Sequence, residues 1–384
     1  MRSTCRGAAG VSSHLGVVGA WRIIGGMPDA AHIPAPAGAP FPVRAGNTIR
    51  PLIDGEPAFR RICEAIEAAE QSVWLTVTFL WEACRMPDGR GTPLEVLGRA
   101  AARGIDVRVV CWRPGDELAQ LRTNAFWGAP EHLARLRAEA PGVRVRWDRA
   151  AHGFCQHQKL WLVDADGPGA TAFVGGLNLN PHSMVAPAHG GPGENHDAYV
   201  ELTGPATADV HRAFAERWNS ASERRLPGGR RGPGSDADMP LPVDVPAATG
   251  IVTVQVQRTI HQDRSTDGAG ERTILEQTGL AIGAAQRTIH LENQRIDLPE
   301  VLVALRATVD RGVEVVAVVP AEDAHAPGLL ALTQHERFTL VGLTGRAPDG
   351  SRHSPRFRHG RLAGPRVRPD LRFSSLGGPR CRRW

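Results

Sequence analysis

From Phe59 to Glu70 the apolar residues recur at helical spacing, and from Ser72 to Phe79 they close up into the run of a strand. A second helix over Pro93–Arg103 and a second strand over Ile105–Cys111 follow. The same order returns between Thr273 and Val319. Ala65-Ile66 and Ala68-Ala69 match Ala281-Ile282 and Ala284-Ala285, Val73 and Leu75 match Ile289 and Leu291, and Arg103-Gly104 matches Arg311-Gly312. A glycine just past each second helix is a natural helix stop, because it takes the left-handed backbone without steric cost. The pattern predicts an α/β fold built twice, each half a mixed sheet flanked by helices.

The first half continues through a helix at 130–138 and an alternating strand at Val143–Trp147. The second half has a late strand at Phe338–Leu343, after which regular periodicity ceases. Gly, Pro and Asp crowd Leu226–Pro246, as in a linker or long loop. The expected organisation is a flexible N-terminal segment (1–43), a first lobe (44–225), a linker (226–250), an incomplete second lobe (251–345) and an Arg-rich aberrant tail (346–384).

Composition changes this picture in three places. No run approaches the ~20 apolar residues of a membrane span, and the early arginines lack the continuous apolar stretch of a signal peptide. Met27 is an equally good start. A cytoplasmic or membrane-peripheral location is therefore expected. The six cysteines (5, 63, 84, 111, 155 and 381) include no Cys-x-x-Cys pair, which argues against zinc and against a disulfide framework. Cys155 reads as apolar packing rather than a nucleophile. The formal net charge of +5 belongs to the tail: residues 346–384 hold eleven Arg against two Asp, which leaves 1–345 at −4. The body has no electrostatic footprint for nucleic acid.

Of the 45 Lys and Arg residues, only residue 159 is lysine. A chain that uses arginine for all its other cationic positions retains a compact ammonium at one place. Around it stand His157-Gln158-Lys159-Leu160-Trp161-Leu162-Val163-Asp164 and then Gly175-Gly176-Leu177-Asn178. A strand over 157–164 puts His157, Lys159 and Trp161 on one face. An imidazole beside an ammonium suits a phosphate: the lysine neutralises an oxygen while the histidine works on phosphorus or on the leaving oxygen. Gly175 and Gly176 permit close backbone approach to a ligand, and Asn178 is a neutral donor for a second oxygen. Asp197, in Asn195-His196-Asp197, is placed to fix the tautomer of a catalytic imidazole. The helix around Phe214–Asn219 reads as structural.

These motifs resemble the first signature of the phospholipase D superfamily, with a few extra residues between Asp164 and Gly175. The resemblance runs from about Arg44 to Gly345, and Glu292-Asn293-Gln294 is similar to the phospholipid-acting branch. It implies a duplicated bilobal fold with one active site between the lobes, no metal and no cofactor. In this reading His157 is the nucleophile and forms a phosphohistidine. Lys159 and Asn178 bind the phosphate, Asp197 activates His157, and Asp164, Gly175 and Gly176 are structural in the motif. The partner implied is a phospholipid substrate with peripheral membrane contact, and a monomer is expected of an intact family member.

The second signature departs from the family. Trp147 ends its strand ten residues before His157. Leu343 ends the counterpart, and ten residues on stands His353, followed by Pro355 where a lysine is expected. His353 is the one candidate for a second catalytic histidine. Our hypothesis is a reading-frame shift near Ser354, motivated by the mid-motif loss of resemblance and the jump to arginine. Sequencing the coding DNA decides it, since a shifted frame without a lysine and a Gly-Ser-x-Asn run refutes it. The expected function is a phosphodiesterase or phosphatidyltransferase acting on phospholipids, impaired by this loss. The alternatives are a cardiolipin-synthase-like transferase, a nuclease of the same superfamily, and an inactive truncated product.

Overall fold

The computed structural model describes residues 33–113, 130–148, 155–186, 195–222, 238–262, 268–321, 323–343, 345–346 and 352–353. The expected flexible N-terminal segment up to residue 32, and most of the tail, lie outside the described residues.

β1 (Arg44–Ile53) leads into helix α1 (Gly55–Ala68), strand β2 (Ser72–Val77), helix α2 (Pro93–Ala102) and strand β3 (Asp106–Trp112). α1 starts four residues before its expected position, because Pro57 is tolerated in a first helical turn. α2 is fixed at its start by a capping box: the Thr92 hydroxyl accepts from Glu95 N, and the Glu95 carboxylate accepts from Thr92 N. Helix α3 (Pro130–Glu139) and strands β4 (Arg144–Asp148), β5 (Leu160–Val163), β6 (Thr171–Gly175) and β7 (Ala198–Thr203) follow, then helix α4 (Thr207–Ser220).

These strands form one mixed sheet in the order β4-β3-β2-β5-β6-β7-β1-β8, where β8 is Val252–Val254. The β4-β3-β2 part is parallel and the remaining pairs are antiparallel. One face packs against α1 and α2 through Phe59, Ile62, Leu97, Leu75 and Phe173. The other packs against α4, where Trp74, Phe214 and Trp218 stack in series.

The chain then returns to this sheet. Arg146, stacked over Trp218, forms an ion pair with Asp238 at 2.9 Å, Met239 is buried beside α4, and β8 extends the sheet on β1. Residues 238–254 therefore dock on the first sheet, although they straddle the expected linker and second lobe.

The second unit contains β9 (Thr259–Ile260), β10 (Glu271–Arg272), α5 (Thr273–Ala284), β11 (Thr288–Glu292), α6 (Pro299–Asp310), β12 (Glu314–Pro320), α7 (Pro327–Leu332) and β13 (Phe338–Leu343). Its sheet is parallel, in the order β11-β12-β13. The repeat is visible in detail. Gly104 and Gly312 both take positive φ, 87° and 93°. Arg103 donates to the Ile66 carbonyl, and Arg311 reaches the carbonyls of Ile282 and Gly283, so each cation meets the C-terminal end of the preceding helix, α1 or α5. Among the described residues no helix is long and apolar enough to cross a membrane.

Beyond β13 lie β14 (Gly345–Arg346) and β15 (Arg352–His353), which pair with each other. Among the described residues the outer edge of β11 carries no strand.

Candidate active site

β5 is shorter than the sequence suggests. Its pairing ends early: Leu160 pairs with Thr76 near the end of β2 and with Val174 near the end of β6, and past it one bond remains, from Gly175 N to the Lys159 carbonyl at 3.3 Å. His157, Gln158 and Lys159 therefore project past the sheet. The same end collects the start of β7, the end of β1 and the turn after β2, because each of these strands is antiparallel to the next.

Lys159 is buried, only 3% exposed, and its Nζ donates to the His157 carbonyl at 2.8 Å. The ammonium thus bends back beneath the histidine. His157 is exposed at the residue level, yet protein crowds its ring. Exposure would leave the imidazole near its ordinary value and crowding lowers it. The downward direction holds, since the Lys159 ammonium adds to the crowding. A neutral imidazole at neutral pH is the form that can attack.

Asp197 lies across from them. Its carboxylate accepts from Ala198 N at 2.7 Å, and burial raises its pKa against the pull of that amide and of Lys159. A Cβ on Gly176 would stand 2.3 Å from Asp197 Oδ2, and one on Gly175 would stand 2.2 Å from the Ala198 carbonyl. Both glycines are emptied by the protein's own atoms. The space beside them is taken by the Asp197 carboxylate and by the β6–β7 pairing.

Asn178 accepts from Phe79 N through Oδ1 at 3.2 Å, which leaves its Nδ2 as the donating end of the amide. Asp164 accepts from the N–H groups of Glu70, Gln71 and Ser72 at 2.7–3.1 Å. It ties the far end of β5 to the α1–β2 turn and stands away from the reacting end. His353 lies in β15 beside Gly345 rather than on the edge of β11, and its side chain falls outside the described residues. Cys155 packs with Phe79 and Trp112, as an apolar residue would.

One residue of this site, Asp54, escapes sequence reasoning. Asp54 stands where a helix N-cap belongs, but its carboxylate caps nothing; it meets His196 Nδ1 at 2.7 Å. Its backbone sits at φ 66° and ψ 158°, a region that costs a non-glycine residue about 1–3 kcal/mol. A lost cap adds about 1 kcal/mol. Asp54 N also donates to the Asp197 carbonyl at 2.8 Å. Across the cleft, Glu292 Oε1 of the second unit lies 3.9 Å from His196 Nε2. In sequence Asp54-Gly55 reads as an ordinary helix start, and nothing there signals a partner 142 positions away.

Residues 62–218 match the family model described as cardiolipin synthase, PLD-like domain. Cardiolipin synthase A of Pseudomonas entomophila (strain L48) is 32% identical over 192 residues, 49% of this chain and 36% of that protein. The Pseudomonas putida (strain W619) enzyme is 28% identical over 288 residues, 74% of this chain and 53% of that protein. The chain thus spans about half the length, or less, of the curated relatives it matches. Among solved structures, phosphatidylserine synthase of Haemophilus influenzae aligns with a TM-score of 0.47 at 12% identity, covering 74% of this chain and 64% of that one. The phospholipase D family member Nuc of Salmonella typhimurium aligns with a TM-score of 0.32 at 19% identity, covering 45% and 95%. The family model spans β5, the His157–Lys159 motif and the Asp197 segment, so residues 62–218 carry a phospholipase D-like domain, and the sequence relatives extend into the second unit.

Proposed function

We propose that this chain is a phospholipid phosphotransferase that moves a phosphatidyl group through His157. The observation that supports the proposal is the end of β5, where a neutral imidazole stands over a buried ammonium and Asn178, fixed by Phe79 N, borders the same end of the sheet. The imidazole attacks phosphorus. Lys159 and Asn178 hold the non-bridging oxygens, whose charge grows in the transition state. Asp197 steadies the positive charge that develops on His157. The acceptor hydroxyl then takes the phosphatidyl group.

The relatives named cardiolipin synthase favour an alcohol acceptor borne by a second phosphatidylglycerol, with cardiolipin and glycerol as products. The test is the purified full chain on phosphatidylglycerol vesicles, with phosphatidylcholine vesicles in parallel. Cardiolipin formation that disappears in His157→Ala supports the proposal. Choline release that depends on His157, without cardiolipin, replaces transfer by hydrolysis. Equal turnover by the wild type and His157→Ala on both lipids rejects His157 chemistry altogether.

A further inference from the structure

A reaction through His157 needs an acid as well as a nucleophile. The leaving alkoxide of a phosphodiester is a poor leaving group until it is protonated, and among the described residues no second His-x-Lys strand borders β11. His196 stands at the same strand end, next in sequence to the Asp197 that covers Gly176. Its Nδ1 is pinned 2.7 Å from Asp54 Oδ1, on a carboxylate that is 5% exposed. This contact fixes Nδ1 as the donor to Asp54 and aims Nε2 across the cleft towards Glu292, whose side chain is 42% exposed. A buried carboxylate fixes one ring nitrogen and a partly exposed carboxylate stands 3.9 Å from the other; an imidazole held in this way by a carboxylate can exchange a proton through its second nitrogen.

We propose that His196 is the general acid and base of this site, held by Asp54 as its positioning residue. The inference rests on the phosphotransferase reading above and adds the proton path to it. In the first half, a ring nitrogen of His157 forms a bond to phosphorus, and the bond from phosphorus to the leaving oxygen breaks. That oxygen takes the electron pair together with the proton from His196 Nε2. In the second half, neutral His196 takes the proton of the acceptor hydroxyl, whose oxygen bonds to phosphorus as the His157–phosphorus bond breaks. Both histidines end as they began.

The surrounding charges agree. The hydrogen bond to Asp54, and then the charges of Asp54, Glu292 and Asp197, raise the His196 pKa against the cost of burial, while that of His157 is lowered. Two imidazoles at one strand end are thus pushed apart, one towards the neutral form and one towards the charged form, as an attacking group and an acid require. The strained, uncapping geometry of Asp54 is accounted for as well: a helix cap is given up to hold a histidine.

The experiment pairs two substrates. A p-nitrophenyl phosphodiester, used with enzyme in excess, reports only the first half-reaction and carries a leaving group that needs no proton. Phosphatidylglycerol in steady state needs the acid and the base. His196→Gln is expected to keep the single-turnover release of p-nitrophenolate and to lower steady-state turnover by ~10²–10⁴-fold. Asp54→Asn is expected to move the alkaline limb of the pH–rate profile to lower pH, because the imidazolium loses the anion that favours it. Equal loss on both substrates in His196→Gln, or a copy of that loss in Glu292→Gln, would show a tie between the lobes and overturn the inference. So would unchanged steady-state turnover. If His157→Ala leaves both rates intact, the phosphotransferase reading itself fails, a result distinct from all of these.

Discussion

β2 and β11 come from matching places in the two repeats, and their surroundings differ. β2 lies between β3 and β5 with all six residues buried; among the described residues β11 has β12 on one side only, and it alternates between exposed and half-buried. The backbone logic is shared, down to Asp106 N donating to the Gln71 carbonyl and Glu314 N to the Arg287 carbonyl, each at 2.9 Å. What separates the two strands is the neighbour that β5 supplies. The strand that brings the histidine–lysine motif also seals the sheet, so in this fold chemistry and core are built by one element.

The largest expected effect tests that sealing directly. Leu75→Ala empties a fully buried position and should cost about 2–5 kcal/mol. Leu291→Ala, at the matching half-buried position, should cost less than half as much, as shown by denaturation midpoints of the two variants. Equal costs would mean that β11 is sealed as β2 is. Next comes the tie that holds β5 in register. Asp164→Ala strips three amides of a charged acceptor and should destabilise by about 1.5–3 kcal/mol. Hydrogen exchange should quicken at the start of β2 and not at the start of β11.

Glycines sharpen the contrast further. Gly176→Ala drives a methyl into the Asp197 carboxylate and should cost about 1–3 kcal/mol together with most turnover. Gly279→Ala, in α5 with open space around it, should stabilise by about 0.5–1 kcal/mol and leave turnover unchanged. The smallest effect concerns the contact that joins the two units. Asp54 first, and Glu292 with Asp197 after it, raise the His196 pKa in the fold above its ordinary 6.5. That stabilisation is complete below about pH 6.5 and fades as pH rises through the raised value. Wild-type stability should therefore fall across that window relative to His196→Gln, measured as melting temperature against pH.

Much of this was legible before the fold was known. Helix and strand periods placed the repeated elements to within a few residues, because amphipathic spacing is a local property of the chain. The two arginine–glycine helix ends are equally local. The motif strand came out too long, since a run of suitable residues stays extended as β-sheet only while neighbours are there to pair with it. Gly175 and Gly176 were legible only in part, because a sequence shows that space is needed and does not show which atom fills it, here the Ala198 carbonyl and the Asp197 carboxylate.

The sequence by itself determined the repeated α/β pattern and the resemblance of its histidine–lysine motif to the phospholipase D signature, because periodicity and motif spacing are local properties of the chain. Only the tertiary structure decided that Asp54 serves His196 instead of its helix, that Asp197 rests on Gly176, and that Glu292 faces the first unit. These contacts join positions 142, 21 and 96 residues apart; the first two exist because antiparallel strands return to one end of a sheet, and the third because β11 of the second sheet ends beside it.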